Sequence, residues 1–258
     1  MVNERSARAR QSRLVPPEFI AELSDQYPFP DPRSGSPDGL LAYGGDLEPG
    51  RLLAAYAQGL FPWYESPPIL WYSPDPRALL FPESLRINRS LAKNLRRQRY
   101  TLAMDKDFRG VIEACAAAPR PGQSGTWIND DMIQAYCDLH ELGFAHSAET
   151  YCEGELVGGI YGISLGAAFF GESMFSRRSD ASKVALVGLV DRMRAWGFRV
   201  LDCQAHTEHT ERLGAVLWSR ADFLDLLAEA LEAPTRCGPW EPVALEESGR
   251  SGGDSNAR

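Results

Sequence analysis

Ala167-Ala168-Phe169-Phe170-Gly171-Glu172-Ser173-Met174-Phe175-Ser176 is the stretch on which the reading of this sequence turns. It packs one carboxylate, two hydroxyls and four large apolar side chains into ten residues. That is more polar chemistry than a buried strand needs, so the segment reads as a strand lining a pocket. Leu201-Asp202-Cys203-Gln204 has the same form, an apolar strand ending in polar groups. Between the two lies a helical pattern from Ala181 to Trp196, stopped by Gly197. A strand, helix and second strand in that order make a crossover unit, whose strands must run parallel and usually lie side by side. Glu172 and Gln204 then end at the same edge of the sheet, where ligands of open α/β sheets bind. Asp202 and Gln204, two apart on one strand, are expected to share a face, with Cys203 pointing away.

Outward from this unit the pattern stays regular. Towards the N-terminus stand three strands in a meander, Ala145 to Cys152, Leu156 to Ile163 and Ala167 to Glu172, joined by turns at Glu153-Gly154 and Leu165-Gly166. Before them come a basic helix near Ser90 to Arg97, a strand Tyr100 to Met104, a helix from Asp105 to about Ala117, and a helix from about Asp130 to Leu142 closed by Gly143. A helix from Arg220 to Glu232 follows the last strand. Helix, strand, two helices, meander, helix and strand is the element order of an acetyltransferase-type scaffold. Such scaffolds hold a coenzyme pyrophosphate on a glycine-bearing loop before the long helix. Here that loop reads Ser176-Arg177-Arg178-Ser179-Asp180-Ala181, without the glycines, which argues against an acetyl-coenzyme A enzyme.

Residues 16–82 carry most of the prolines, with turn signals at Phe29-Pro30-Asp31-Pro32, Ser36-Pro37-Asp38-Gly39 and Ser73-Pro74-Asp75-Pro76 and one convincing helix, Pro49 to Gln58. The expected fold class is α+β: a small irregular N-terminal domain over 16–82, followed by an acetyltransferase-like α/β domain with a mixed sheet over 83–240. Residues 1–15 and 246–258, poor in apolar side chains, are expected to be disordered.

With 258 residues, 44% of them hydrophobic, the chain can bury a normal core. No apolar run approaches the roughly 20 residues that span a bilayer, and Met1 to Leu14 lacks the apolar block of a signal peptide, so the expected compartment is the cytoplasm. Five cysteines without a C-x-x-C pair favour neither disulfides nor a cysteine zinc site. Cys203, His206 and His209 are closely spaced but lack an evident fourth ligand, so no metal is expected. Ser173 and Ser176 lack the Gly-x-Ser-x-Gly elbow of a serine nucleophile. The net charge of −8 lowers the expectation of nucleic-acid binding, but Arg86, Arg89, Lys93, Arg96, Arg97 and Arg99 form a cluster free of acids. Such a run is either a solvated face or a local phosphate contact.

Seven motifs carry a resemblance. Gly39-Leu40-Leu41-Ala42-Tyr43-Gly44-Gly45-Asp46-Leu47, Gly59-Leu60-Phe61-Pro62-Trp63, Trp71-Tyr72-Ser73-Pro74-Asp75-Pro76-Arg77, Gly125-Thr126-Trp127-Ile128, Gly158-Gly159-Ile160-Tyr161-Gly162, Gly171-Glu172-Ser173-Met174-Phe175-Ser176 and Leu201-Asp202-Cys203-Gln204 run in order through the chain. Together they resemble the signatures of the leucyl/phenylalanyl-tRNA–protein transferase family. The resemblance implies an enzyme without metal or coenzyme. It moves leucine or phenylalanine from charged tRNA to the N-terminal Arg or Lys of a protein, which marks that protein for degradation by the N-end rule pathway.

That reaction makes four demands. Discriminating apolar amino acids needs a fitted apolar pocket. By resemblance Ile160, Phe169, Met174, Leu186 and Leu189 line it, with Ser173 as a hydrogen-bonding wall, although periodicity alone would make the apolar five plain core. The terminal adenosine needs a stacking face, for which Trp63 and Trp127 are candidates, each equally readable as a lid over core. The acceptor stem needs cations, supplied by Arg86, Arg89, Lys93, Arg96 and Arg97. Attack by an α-amine on an ester needs a proton acceptor or an aligning amide. By resemblance Asp202 and Gln204 are the catalytic pair, with Glu172 beside them; a carboxylate there could instead receive the acceptor's basic side chain.

Overall fold

The computed structural model describes residues 12–119 and 126–241. In chain order, β1 (Arg13–Val15) leads into α1 (Pro17–Gln26), β2 (Leu40–Tyr43), α2 (Pro49–Ala57), β3 (Phe61–Pro62), β4 (Leu70–Tyr72) and β5 (Arg77–Leu80). There follow α3 (Arg89–Arg96), β6 (Thr101–Met104), α4 (Phe108–Ala116), α5 (Asp130–Glu141), β7 (Ala145–Cys152), β8 (Glu155–Leu165), β9 (Ala168–Ser176) and α6 (Ala181–Ala195). The last elements are β10 (Val200–Gln204), α7 (Glu208–Arg212), β11 (Val216–Trp218), α8 (Arg220–Leu231) and β12 (Thr235–Cys237).

Seven strands form one mixed sheet in the order β11-β5-β10-β9-β8-β7-β6. The pair β9 and β10 is parallel, as the crossover through α6 requires, and the other pairs are antiparallel. Successive residues go to opposite faces. Ile160, Phe169 and Leu201 pack with Leu186 and Leu189 of α6, whereas Tyr161, Phe170 and Val200 join the larger core beneath α2, α4, α5 and α8. Side-chain caps start the helices where the sequence supplies them: Asn88 accepts from the Leu91 amide, Asn129 from Met132, and Ser219 from Asp222.

From 83 to 232 the expected elements occur in the expected order, but β9 runs four residues past Glu172 to Ser176, and two elements that were not expected, α7, opened by a capping box of Thr207 with Thr210, and β11, which pairs with β5, stand between β10 and α8. Three expectations nearer the N-terminus are corrected. A second helix, α1, stands in the proline-rich region: Pro17 occupies its first turn, where a missing N–H costs nothing, so the proline that read as punctuation starts a helix. Arg77–Leu80 lies inside the main sheet between β10 and β11, and β2, β4 and β3 make a three-stranded antiparallel sheet. Arg13–Val15, placed in the disordered N-terminus, pairs antiparallel with Thr235–Cys237. Residues 1–11 and 242–258, including the expected tail, lie outside the described residues.

The loop before α6 departs from a pyrophosphate cradle in charge as well as in glycine content. Asp180, the residue that caps α6, holds its carboxylate against Lys183 Nζ at 2.8 Å, Asn94 Nδ2 at 2.8 Å and Ser90 Oγ at 3.2 Å. Those contacts, with the Lys183 bond first, keep its carboxyl below the usual range, so this position carries a negative charge.

Candidate active site

Two β-bulges lie side by side at the edge where β9 and β10 end. On β9, Tyr161 faces Ser173 and Gly162 faces Gly171, leaving Glu172 as the extra residue. On β10, Asp202 faces Leu79 and Gln204 faces Ala78, leaving Cys203 as the extra residue. A bulge re-aims the side chains around it. The β10 bulge puts Gln204 at a positive φ of 62° and overturns the simple alternation: Cys203 and Gln204 both face the cavity, and Asp202 turns behind it.

The cavity measures about 390 Å³. Its apolar end is formed by Leu80, Ile160, Met174, Leu186, Leu201 and Leu213. The exposed Trp63 marks its mouth, the rings of Phe61, Tyr72 and Trp127 also line it, and Glu172, Ser173 and Gln204 are among the groups that supply polar atoms. Phe169 and Leu189, expected on the wall, do not line it; both are fully packed in the core cluster behind Ile160 and Leu186. They support the wall rather than form it.

Glu172 is the most perturbed carboxylate at the site. Tyr56 Oη donates to its Oε1 at 2.7 Å, Tyr136 Oη to its Oε2 at 3.0 Å, and Gln204 Nε2 to Oε1 at 2.7 Å. Burial pushes its pKa up to about 7, while the bonds from Tyr56, Tyr136 and Gln204 pull the other way and the charge of Asp202 adds to the rise. Burial also raises both tyrosines well above their ordinary value, so they remain neutral donors; their hydroxyls also touch each other.

Asp202 is fully buried and bound in a fork by Arg77, with Nε to Oδ1 at 2.9 Å and Nη2 to Oδ2 at 2.6 Å. The Arg77 guanidinium is sandwiched by Phe61 at 4.9 Å and Phe223 at 4.5 Å. Asp202 Oδ1 also accepts from the backbone N–H of Gln204 at 2.8 Å. The two residues of the expected pair are therefore adjacent but play different parts. Gln204 faces the cavity, and Asp202 holds the backbone that presents it.

Of the expected tRNA contacts, Trp63 is 47% exposed and lies edge-on to Tyr72 with ring centroids 5.4 Å apart, while Trp127 is half-buried against the main core. Arg86, Arg89, Lys93, Arg96 and Arg97 are all exposed, and none forms an ion pair among the described residues. Arg86 does not line the cavity, but its backbone N–H donates to the carbonyl of the lining residue Leu213 at 2.9 Å. Cys203, His206 and His209 do not converge: His206 lies 3.4 Å from Glu211, and His209 Nε2 lies 3.2 Å from Met174 Sδ. Among the described residues no group of three or more His, Cys, Asp or Glu is placed to hold a metal.

Sequence reasoning missed Arg77, Tyr56 and Tyr136. Arg77 left one signal, since an arginine heading the apolar run Ala78-Leu79-Leu80 needs a buried partner. The tyrosines left none, because a core tyrosine and a carboxylate donor look alike in a helical pattern.

Comparison with known proteins agrees over most of the chain. The family model described as leucyl/phenylalanyl-tRNA protein transferase matches residues 79–228, and the model of that protein's N-terminal domain matches residues 45–75. A leucyl/phenylalanyl-tRNA–protein transferase of Myxococcus xanthus is 56% identical over 228 residues, 87% of this chain and 97% of the relative. One from Pseudomonas entomophila is 58% identical over 200 residues, 77% of this chain and 88% of the relative. Among solved structures, a ribosomal-protein-alanine N-acetyltransferase from Brucella melitensis superposes with a TM-score of 0.32 at 17% identity, covering 45% of this chain and 88% of that one.

Proposed function

The chain belongs to the leucyl/phenylalanyl-tRNA–protein transferase family, and on that premise we propose that its cavity joins the aminoacyl group of Leu-tRNA or Phe-tRNA to the N-terminal Arg or Lys of an acceptor protein. The product carries an N-terminal leucine or phenylalanine, the mark read by the N-end rule pathway. The place of action is the cytoplasm, where charged tRNA is found; no described helix is long and apolar enough to cross a membrane.

The donor side chain enters the apolar end. Ile160, Met174, Leu186 and Leu201 offer it contact without a hydrogen bond, which suits a branched or aromatic hydrocarbon. Met174 adapts to either shape. The terminal adenosine stacks on Trp63 or Trp127, and the acceptor stem runs over the 86–97 cations.

In the chemical step the acceptor's neutral α-amine attacks the ester carbonyl carbon. A C–N bond forms, the C–O bond to the adenosine breaks, and the proton lost by nitrogen ends on the departing ribose hydroxyl. Gln204 is the group placed to orient the amine. One N–H of its Nε2 donates to Glu172 and its backbone N–H donates to Asp202, while its amide oxygen has no hydrogen-bond partner among the described residues and can accept from the attacking N–H. Glu172 and Asp202 both act through Gln204, one fixing the amide plane and the other the backbone. The observation that carries this reading is the Glu172–Gln204 bond on the lining of the cavity that also holds Ile160, Met174, Leu186 and Leu201.

The test is transfer of radiolabelled phenylalanine from Phe-tRNA to an Arg-initiated peptide. Gln204→Ala is expected to lower the maximal rate by roughly a hundredfold or more. Tight binding of Phe-tRNA by the unaltered protein with no transfer would make it a binding module and defeat the reading.

A further inference from the structure

The proposed acceptor is a cation at two points, its α-ammonium and its Arg or Lys side chain. Among the described residues two carboxylates line the cavity, Glu172 and Asp38, and no lysine or arginine does. Glu172 is a poor counter-ion: it is buried, three donors already occupy its oxygens, and burial favours its neutral form. Asp38 is its opposite. It is exposed on the rim, accepts a hydrogen bond from Ser36 Oγ, and forms no ion pair with the described cations.

The loop that carries Asp38 is held with unusual firmness. Arg220, only 4% exposed, has no carboxylate within ion-pair distance among the described residues. Its guanidinium donates instead to backbone carbonyls: Nη1 to Ser36 at 3.1 Å and to Ser73 at 2.6 Å, and Nη2 to Gly35. Gly39 follows Asp38 at a φ of +83°, and a Cβ there would lie 2.5 Å from the Pro74 Cα. A buried cation and a forced glycine thus lock residues 35–39 against Ser73 and Pro74. Asp38 shares the cavity with the rings of Tyr72 and Trp63, and an unpaired carboxylate together with aromatic faces supplies the chemistry that recognises a guanidinium, by hydrogen bonds to its edge and stacking on its plane.

We infer that Asp38 is the subsite for the basic side chain of the acceptor's N-terminal residue, so that acceptor specificity is set on the rim, apart from the groups that orient the α-amine. The inference rests on the transferase reading above. The experiment compares peptides that begin with Arg or with citrulline, its neutral isostere, as acceptors of phenylalanine from saturating Phe-tRNA. The unaltered protein should favour the Arg peptide, chiefly through KM. In Asp38→Asn the ratio of kcat/KM for Arg over citrulline should fall by about fivefold to tenfold, the loss expected for one charged contact at a partly solvated rim. A ratio that survives Asp38→Asn would overturn the inference while leaving the transferase reading intact. So would a change confined to the KM of Phe-tRNA, measured separately at saturating Arg peptide, which would place Asp38 on the donor side. No transfer to either peptide by the unaltered protein would defeat the transferase reading itself.

Discussion

Replacing Asp202 with asparagine separates a catalytic base from a positioning residue. Both Asp202 and Arg77 have side chains with no exposed surface, and two hydrogen bonds of 2.9 and 2.6 Å join them. Asp202→Asn removes the negative charge without changing volume and leaves the Arg77 cation buried with no counter-charge. Breaking such a pair costs about 3–5 kcal/mol. For a chain of this size each kcal/mol is worth roughly 2–4 °C, so Tm should drop by roughly 6–20 °C. The same change weakens the acceptor for the Gln204 N–H and loosens Phe61, on which Arg77 stacks, so the maximal transfer rate should fall as well. Arg77→Ala should then reproduce both losses although Arg77 does not line the cavity. Apolar replacement of both partners, Arg77→Met with Asp202→Leu, should recover part of the stability, because no orphaned charge remains. The measurements are urea denaturation, thermal melting and single-turnover transfer at saturating acceptor. An Asp202→Asn protein as stable as the parent, with a hundredfold lower rate that Arg77→Ala does not share, would refute this account and make Asp202 the base.

Glu172 predicts a pH dependence of stability. Its folded pKa of about 7 lies above the ordinary 4.5, so the folded state holds this proton more tightly and stability declines as pH rises from about 4.5 to about 7. The displacement is worth of order 3 kcal/mol. Denaturation of Glu172→Gln against the parent should therefore show the variant gaining relative stability between pH 5 and pH 8; a constant difference would be inconsistent with the raised pKa. Leu186→Ala enlarges the apolar end of the cavity, and competition between Leu-tRNA and Phe-tRNA should move towards Phe by about tenfold. Arg89→Ala with Lys93→Ala should reduce the slope of log affinity for tRNA against log salt by about 1.5, as loss of two phosphate contacts requires. An unchanged slope would return α3 to the role of a solvated face.

The scaffold from α3 to α8 was legible because its signals are local. Glycine stops at Gly143 and Gly197, the Glu153-Gly154 and Leu165-Gly166 turns and an apolar strand-helix-strand unit each act within a few residues, whereas the short α7 and β11, set by a capping box and by pairing with β5, left no such signal. The apolar end of the cavity was legible as apolar but not as a surface. Ile160 and Phe169 lie in one core cluster on one face of the sheet, yet Ile160 meets the cavity and Phe169 the packed layer behind it, a difference of depth that no period encodes. Illegibility was greatest at the polar end. Alternation placed Asp202 and Gln204 together and Cys203 opposite, and a bulge, which depends on the register of β5 against β10, reversed the outcome.

The two bulges also explain why the site needs so much buried polar structure. A strand end that departs from regular pairing leaves its backbone groups to be satisfied elsewhere. At β10 the Gln204 N–H finds Asp202, and a carboxylate sunk in the sheet in turn requires Arg77, which the rings of Phe61 and Phe223 cover. At β9 the extra residue is itself an acid, and Tyr56 and Tyr136 reach it from helices α2 and α5. Each chain of contacts ends on Gln204, one at its backbone and one at its amide. An amide with both ends fixed loses little further freedom when an amine docks against it, which is the condition for catalysis by orientation. The residues around Gln204 are therefore those that hold this side chain in a single conformation against all others.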